Sequence, residues 1–78
     1  MTDQRPSPIN ERIRQNIRGI AKLKRIGMYE LASDAGCHYD TINKFLKRDT
    51  KSIAVDKLER IADALGFTVV GLIQWRGK

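Results

Sequence analysis

Apolar residues recur every three or four positions along the first third of the chain, which is the spacing of one face of an α-helix. The residues with this spacing are Ile9, Ile13, Ile17, Ile20 and Leu23. Ser7 and Pro8 precede them, and a capping Ser followed by Pro at the first helical position is a frequent helix start. The pattern predicts an amphipathic helix that begins at Pro8 and is ended by Gly27.

The opposite face of this helix is basic. Its charged residues are Arg12, Arg14, Arg18, Lys22 and Arg25. We expect these side chains to be solvated and leave them out of the candidate site, because charges on an exposed face commonly serve solubility alone.

Two short helical stretches follow, at residues 29–35 and 39–47. Gly36 closes the first, since the end of a helix often requires a left-handed backbone. Ile42, Phe45 and Leu46 are the apolar residues of the second. A polar, turn-like segment then runs from residue 48 to residue 52.

A fourth helix and an ambiguous tail complete the pattern. The fourth helix is marked by Val55, Leu58, Ile61, Ala62 and Leu65. Gly66 ends it, and either Ser52 or Ala54 caps its start. Residues 67–75 fit a short helix capped by Thr68, which we prefer. A strand is the alternative, because the segment is β-branched and Gly71 weakens a helix.

These elements predict an all-α fold, a compact bundle of four to five short helices in one domain. The 78 residues are too few for two domains. We expect residues 1–7 to be a flexible tail and residues 8–78 to form the domain. Residues 67–78 are candidates for dimerisation.

Charge and cysteine usage narrow the function. The 15 Lys and Arg against 9 Asp and Glu give a net charge of +6, which favours a polyanionic partner such as nucleic acid. A single Cys and a single His exclude an internal disulfide and a zinc site built by this chain alone. No apolar run is long enough for a membrane span and no signal peptide is evident. We therefore expect a cytoplasmic protein that needs no cofactor or metal.

The most informative residues lie between Met28 and Lys47. Two short helices joined by a tight turn need a small residue at their crossing, a flexible end to the first helix and apolar anchors on the second. The residues with these properties are Leu31, Ala32, Ala35, Gly36, Cys37, Ile42 and Phe45. We interpret Cys37 as a compact apolar plug in the turn. His38 either caps the following helix or faces water.

From residue 13 to residue 73 the chain resembles the helix-turn-helix regulators of the Xre, Cro and lambda-repressor family. Residues 29–37 look like that family's second helix and turn, residues 39–47 like its recognition helix, and residues 58–66 like the helix after it. The resemblance implies five helices, with the third entering the major groove. One departure stands out. The family usually opens its second helix with a Thr-Gln pair, whose Gln holds a phosphate and braces the recognition helix, whereas Gly27 and Met28 occupy those positions here.

The outer face of such a helix needs polar side chains that can reach base edges. The predicted base-reading residues are Tyr39, Asp40, Asn43 and Lys44. Asp40 could instead only cap the helix. The predicted contacts to the DNA backbone are Met28, Tyr29, Thr41, Lys47, Arg48 and Lys51, and for Arg48 and Lys51 a solvated loop is equally compatible with the sequence.

Trp75 has two interpretations, since an aromatic residue near a terminus either closes its own core or forms an interface. The predicted dimer patch is Val69, Val70, Leu72, Ile73 and Trp75.

The hypothesis is a non-enzymatic repressor that occupies operator DNA as a homodimer, with no membrane and no small-molecule ligand. Two alternatives stay open. One is an antitoxin that binds a toxin protein and represses its own operon, and the other is an interaction module that has lost DNA binding.

Overall fold

The computed structural model describes residues 8–77, which form five α-helices and contain no strand. The helices are α1 (Pro8–Lys24), α2 (Met28–Ala35), α3 (Tyr39–Leu46), α4 (Val55–Ala64) and α5 (Val69–Gln74). The all-α bundle is thereby confirmed. The flexible tail predicted for residues 1–7, the Ser7 cap and the terminal Lys78 lie outside the described residues.

The core gathers around α2, which packs against α3 and α4, while α5 packs against α1 and α4. The helix-turn-helix positions Leu31, Ala32, Ala35, Ile42 and Phe45 are all buried. Cys37 is half-buried and packs against them, as an apolar plug would. Burial of these residues fixes α3 against α2.

The prediction that the apolar face of α1 extends from Ile9 to Leu23 is wrong at both ends, because Ile9 and Leu23 are 58% and 64% exposed. A helix of 17 residues spans about 25 Å and is twice as long as α2 or α3, so its terminal turns extend past the elements that cover it. Ala21 takes the inward position in the last turn and is buried.

Helices α2 and α4 end as predicted, at Gly36 and Gly66, and both glycines have positive φ. The prediction that Gly27 ends α1 is wrong. The left-handed residue is Arg25, and the amide of Ile26 donates to the carbonyl of Ala21 at 2.8 Å, which closes the helix two residues earlier. Gly27 is instead the N-cap of α2.

The segment between α3 and α4 begins with the same type of helix end. Helix α3 stops at Leu46, one residue before its predicted end. Arg48 is left-handed, and the amide of Asp49 donates to the carbonyl of Lys44 at 2.8 Å. Of the two candidate caps for α4, the structure has Ala54.

The tail is the short helix α5. The Thr68 hydroxyl accepts a hydrogen bond from the amide of Gly71 at 2.9 Å, as expected for a capping residue. Leu72 is fully buried, and Val69 and Ile73 pack against the core at its edge. The helical prediction for residues 67–75 is confirmed over Val69–Gln74.

The solvated basic face predicted for α1 is wrong at Arg14, whose side chain is only 2% exposed. The reason is its position beside the apolar stripe: successive residues of a helix are about 100° apart, so Arg14 follows Ile13 around the helix toward the end of α3. There its guanidinium finds backbone carbonyls, with its Nε donating to the Phe45 carbonyl at 2.6 Å.

Candidate nucleic-acid interface

Helix α3 presents a polar face directly opposite its buried side. Ile42 and Phe45 point into the core and are almost completely covered. At about 100° per residue, Asp40, Lys44 and Lys47 fall on the opposite side, and all three are exposed. This outer face is free for contact with a partner.

Asn43 and Thr41 lie on the two flanks of this face, one on each side, and both are half-buried. Each flank borders a cleft, and the two clefts run along opposite sides of α3. The candidate site is therefore a ridge between two depressions.

The first cleft, of about 430 Å³, lies between α1, the start of α2 and one flank of α3. Its lining residues are Arg18, Ala21, Lys22, Ile26, Gly27, Met28, Asn43, Leu46 and Lys47. Three of these are cationic and exposed, while the floor is apolar. The N-cap of α2 is a glycine and supplies no side-chain acceptor to the first amides of the helix. Cations and helix-start amides together suit an anion such as a phosphate.

The second cleft, of about 240 Å³, lies on the other flank of α3, against the loop before α4. Its lining residues are Thr41, Lys44, Thr50, Ser52, Ile53, Ala54 and Lys57. It offers two ammonium groups and three hydroxyl groups.

The first residues of α2 and α3 are joined by two stacked tyrosines. The ring centroids of Tyr29 and Tyr39 are 4.0 Å apart and the rings are nearly parallel, at 9°. Tyr29 is 74% exposed, whereas Tyr39 is half-buried against the core. The stack covers one face of the Tyr39 ring, so stacking on a thymine methyl with that face would require the pair to open.

Arg48 and Lys51, predicted to contact the DNA backbone, are both exposed. The Arg48 Nε donates to the Glu11 carboxylate at 2.7 Å, and its Nη2 donates to the second carboxylate oxygen. The hydrogen bond from Arg48 holds the pKa of Glu11 below its usual value, and the same bond raises the pKa of Arg48. Arg48 is thus already paired, and a phosphate would have to compete with Glu11 for it.

The predicted dimer patch is only partly available at the surface. Leu72 is completely buried in its own core and offers no surface to a second copy in this structure. Trp75 packs on α1 at Gly19, where an added Cβ would lie only 2.7 Å from the Trp75 ring. Of the five predicted residues only Val70 is exposed.

Cys37 and His38 lie in the turn between α2 and α3. His38 is exposed and occupies the N-cap position of α3 without a capping hydrogen bond from its side chain. Within residues 8–77, no group of three His, Cys, Asp or Glu side chains is arranged to hold a metal ion. No helix of this part of the chain has the length and hydropathy of a membrane span.

The comparison with protein families agrees with this geometry. A family model described as a Cro/C1-type HTH DNA-binding domain matches residues 16–76, which is most of the chain. The chain belongs to this family. The match supports the resemblance noted from residues 13–73 and makes the protein a DNA-binding regulator of the Cro/C1 type. No curated protein and no solved structure gave a significant match.

The structure also adds residues that sequence reasoning does not place at the site. Arg18 and Lys22 line the first cleft beside Asn43 and Lys47, and Lys57 lines the second beside Lys44. A signal for Arg18 and Lys22 exists in the spacing of four, which puts both on one side of α1. Nothing in the sequence marks which neighbour that side meets. Lys57 has no such signal, because it lies in α4, outside the helix-turn-helix segment.

Proposed function

We propose that the protein is a repressor that binds operator DNA in a sequence-specific manner, with α3 in the major groove. The observation that carries the proposal is the ridge of α3 with a cationic cleft on each side. A major groove about 12 Å wide just admits a helix of about 10–12 Å, so a sugar-phosphate strand lies along each flank of an inserted helix.

The two cationic clefts are complementary in charge to these two anionic DNA strands. In the proposal, Arg18, Lys22 and Lys47 face one strand and the amides of Gly27 and Met28 approach a phosphate of it. Lys44 and Lys57 face the other strand, with the hydroxyls of Thr41, Thr50 and Ser52 beside them. Such contacts set the position of the helix in the groove without reading sequence.

Base recognition then falls to the outer face of α3. Asn43 can pair with adenine through two hydrogen bonds, and Lys44 can donate to the acceptors of guanine. Asp40 can accept from the amino group of cytosine. Because Tyr29 covers one face of the Tyr39 ring, the hydroxyl is the group through which Tyr39 can contact a base. Tyr29, at the start of α2, contacts the DNA backbone. After α3 the DNA backbone is contacted by Lys51, and by Arg48 once it is released from Glu11.

Repression by occupancy requires enough contact with the operator, and one recognition helix covers only a few base pairs. We propose that two copies bind across a two-fold axis, which would separate their recognition helices by about 34 Å, or one turn of DNA. Val70 and the partly exposed Val69 and Ile73 are the remaining candidates for the contact between copies.

The test is selection of bound duplexes from a random pool, followed by binding measurements with the selected site. We expect a palindromic motif whose half-sites lie about one helical turn apart. Asn43→Ala should cost about 1–3 kcal/mol and relax discrimination at one base pair per half-site. Glu59→Gln, at an exposed position of α4 on the side away from Lys57, is the control and should bind like the wild type.

Enrichment of no duplex would contradict the proposal and favour the interaction module that has lost DNA binding. An antitoxin that represses its own operon also binds DNA, so co-purification with a toxin protein is the observation that would support that alternative. A motif without two-fold symmetry would contradict the dimer alone. Unchanged discrimination in Asn43→Ala would remove Asn43 from the base-reading set.

A further inference from the structure

The hydrogen bonds that the buried Arg14 donates to backbone carbonyls all go to one stretch of chain, residues 45–51. Its Nε donates to the carbonyl of Phe45 at 2.6 Å, and one terminal nitrogen donates to the carbonyls of Thr50 at 2.8 Å and Lys51 at 3.1 Å. The guanidinium carbon also lies 4.6 Å from the centroid of the Phe45 ring. One side chain of α1 therefore holds both the end of α3 and the loop after it by hydrogen bonds. We call residues 45–51 the gripped segment.

Glu11 extends this grip to the surface. Its carboxylate accepts from the other terminal nitrogen of Arg14 at 2.8 Å and from two nitrogens of Arg48. Arg48 is the left-handed residue at which the chain leaves α3. We name Glu11, Arg14 and Arg48 the Arg14 cluster.

The gripped segment forms a wall of the second cleft. Thr50, whose carbonyl Arg14 holds, lines that cleft, and Ser52 follows two residues later. The first cleft has no residue from this segment other than Leu46 and Lys47, which belong to α3 and its C-cap.

We infer that Arg14 is a positioning residue for DNA binding, which holds the loop after α3 so that the second cleft can receive a phosphate strand. This inference rests on the proposed function. A residue needed only to fill the core would not require a guanidinium there, since a buried ion pair that is replaced as a whole by well-packed apolar residues is often as stable. Here the Arg14 guanidinium donates to the carbonyls of Thr50 and Lys51 in the loop, and to that of Phe45 at the end of α3.

The first experiment is a pair of double-mutant cycles on the selected duplex, with Arg14→Lys as the common change. Lysine keeps the charge but cannot reproduce the fork of donors. Lys57→Gln probes the second cleft and Lys22→Gln probes the first. Contacts that depend on one shared element are non-additive, whereas distant ones add.

We expect Lys57→Gln to weaken DNA binding about fivefold in the wild type and less than about twofold in the Arg14→Lys background. The reason is that the second cleft of Arg14→Lys already holds its DNA strand poorly. Lys22→Gln should have the same effect in both backgrounds. The dependence of binding on salt should also fall in Arg14→Lys, by about 0.9 in log–log slope for each phosphate that the variant no longer neutralises. Equal additivity in both cycles would overturn the inference, since a general loss of stability does not favour one cleft.

The second experiment uses amide hydrogen exchange of the free protein and does not need DNA. In Arg14→Lys the amide of Asp49, a residue of the gripped segment that donates to the carbonyl of Lys44 in α3, should exchange about tenfold faster. The amide of Cys37, which donates to Ala32 in the helix-turn-helix, should be unaffected. Unchanged exchange at Asp49 would overturn the inference whether or not DNA binds.

Glu11→Gln is the second variant, for use if Arg14→Lys does not fold. It weakens the Arg14 cluster from the surface and should give the same pattern with smaller effects. If the wild type binds no duplex while the exchange result holds, the proposed function fails and the loop-holding role of Arg14 stands.

Discussion

Helices α3 and α5 are both short and both end against α1, but α1 holds their ends with different chemistry. The carbonyls at the end of α3 accept from two arginines, with Arg14 bound to Phe45 and Arg18 to Leu46 at 2.8 Å. Those at the end of α5 accept from the neutral amide of Asn16, which donates to Leu72 at 2.6 Å.

This difference follows the surroundings of each helix. The two arginines at the end of α3 interact favourably with the partial negative charge of the helix C-terminus. They also add positive potential beside the face proposed to meet DNA. At the end of α5, Asn16 also donates to the carbonyl of Trp75, at 3.2 Å, and keeps the tail on α1. Helix α1 thus holds its neighbours at two places, which we call brackets. The charged bracket is Arg14 and Arg18 at the end of α3, beside the candidate interface, and the neutral bracket is Asn16 at the end of α5.

The largest effect is expected from Arg14→Met. The substitution removes every hydrogen bond to the loop carbonyls and leaves Glu11 and the carbonyls without this partner, so we expect a loss of about 3–5 kcal/mol in unfolding free energy. Urea denaturation followed by circular dichroism measures it. Arg12→Met, at an exposed position of the same helix, should change stability by less than about 0.5 kcal/mol. Similar losses in both variants would contradict a specific role for the charged bracket.

Asn16→Leu should have the next largest effect. It leaves the buried carbonyl at the end of α5 without its donor, at a cost of about 1–3 kcal/mol. In contrast to changes at Arg14, it should leave exchange at the Asp49 amide unchanged. Hydrogen exchange measured on both variants separates the two brackets. Faster exchange at Asp49 in Asn16→Leu would show that they are not independent.

Gly19→Ala tests how the tail packs on α1. The added methyl would lie 2.7 and 2.9 Å from ring atoms of Trp75, so the ring has to move. Overpacking costs about 1–3 kcal/mol and alanine returns about 1 kcal/mol of helix propensity, which leaves a net loss of about 1 kcal/mol. The fluorescence of Trp75, the single tryptophan, should shift to longer wavelength. An unshifted spectrum would mean that the ring does not rest on Gly19.

The smallest effect concerns Glu11 and pH. Because its pKa is lowered from 4.5 in the folded state, Glu11 contributes stability above that pH, and the contribution disappears as the pH falls through the lowered pKa. The stability difference between wild type and Glu11→Gln should therefore be constant near neutrality and shrink below about pH 4.5. Glu59→Gln, at an exposed position of α4, is the control. A difference that persists unchanged at pH 2 would contradict the ion pair.

The sequence predicts the parts of the fold that depend on local signals. Gly36, Gly66 and Thr68 mark helix ends by their own conformational or hydrogen-bonding preferences, and Ile42 and Phe45 reveal the buried face of α3. The brackets depend on contacts between residues 28 to 59 positions apart, so no local signal identifies them. Arg14 and Asn16 lie on the two sides of the apolar stripe of α1, which is the one feature that distinguishes them from solvated polar residues.

The candidate site divides in the same way. The outer face of α3 is evident from helical periodicity, because Asp40, Lys44 and Lys47 fall opposite the apolar anchors. The clefts are tertiary features, since Arg18 comes from α1 and Lys57 from α4. Arg25 and Arg48 adopt a backbone that sequence rules reserve mainly for glycine, so those rules misplace the end of α1 at Gly27 and put the end of α3 one residue too late.

The most direct test of the proposed interface is a titration of the protein with its selected duplex, followed by the amide signals of each residue in NMR spectra. We predict that the perturbed signals lie at the start of α2, along α3, in the loop that the Arg14 cluster holds and at the start of α4. Perturbations centred on α5, with the amides of α3 unchanged, would contradict the claim that α3 is the recognition helix.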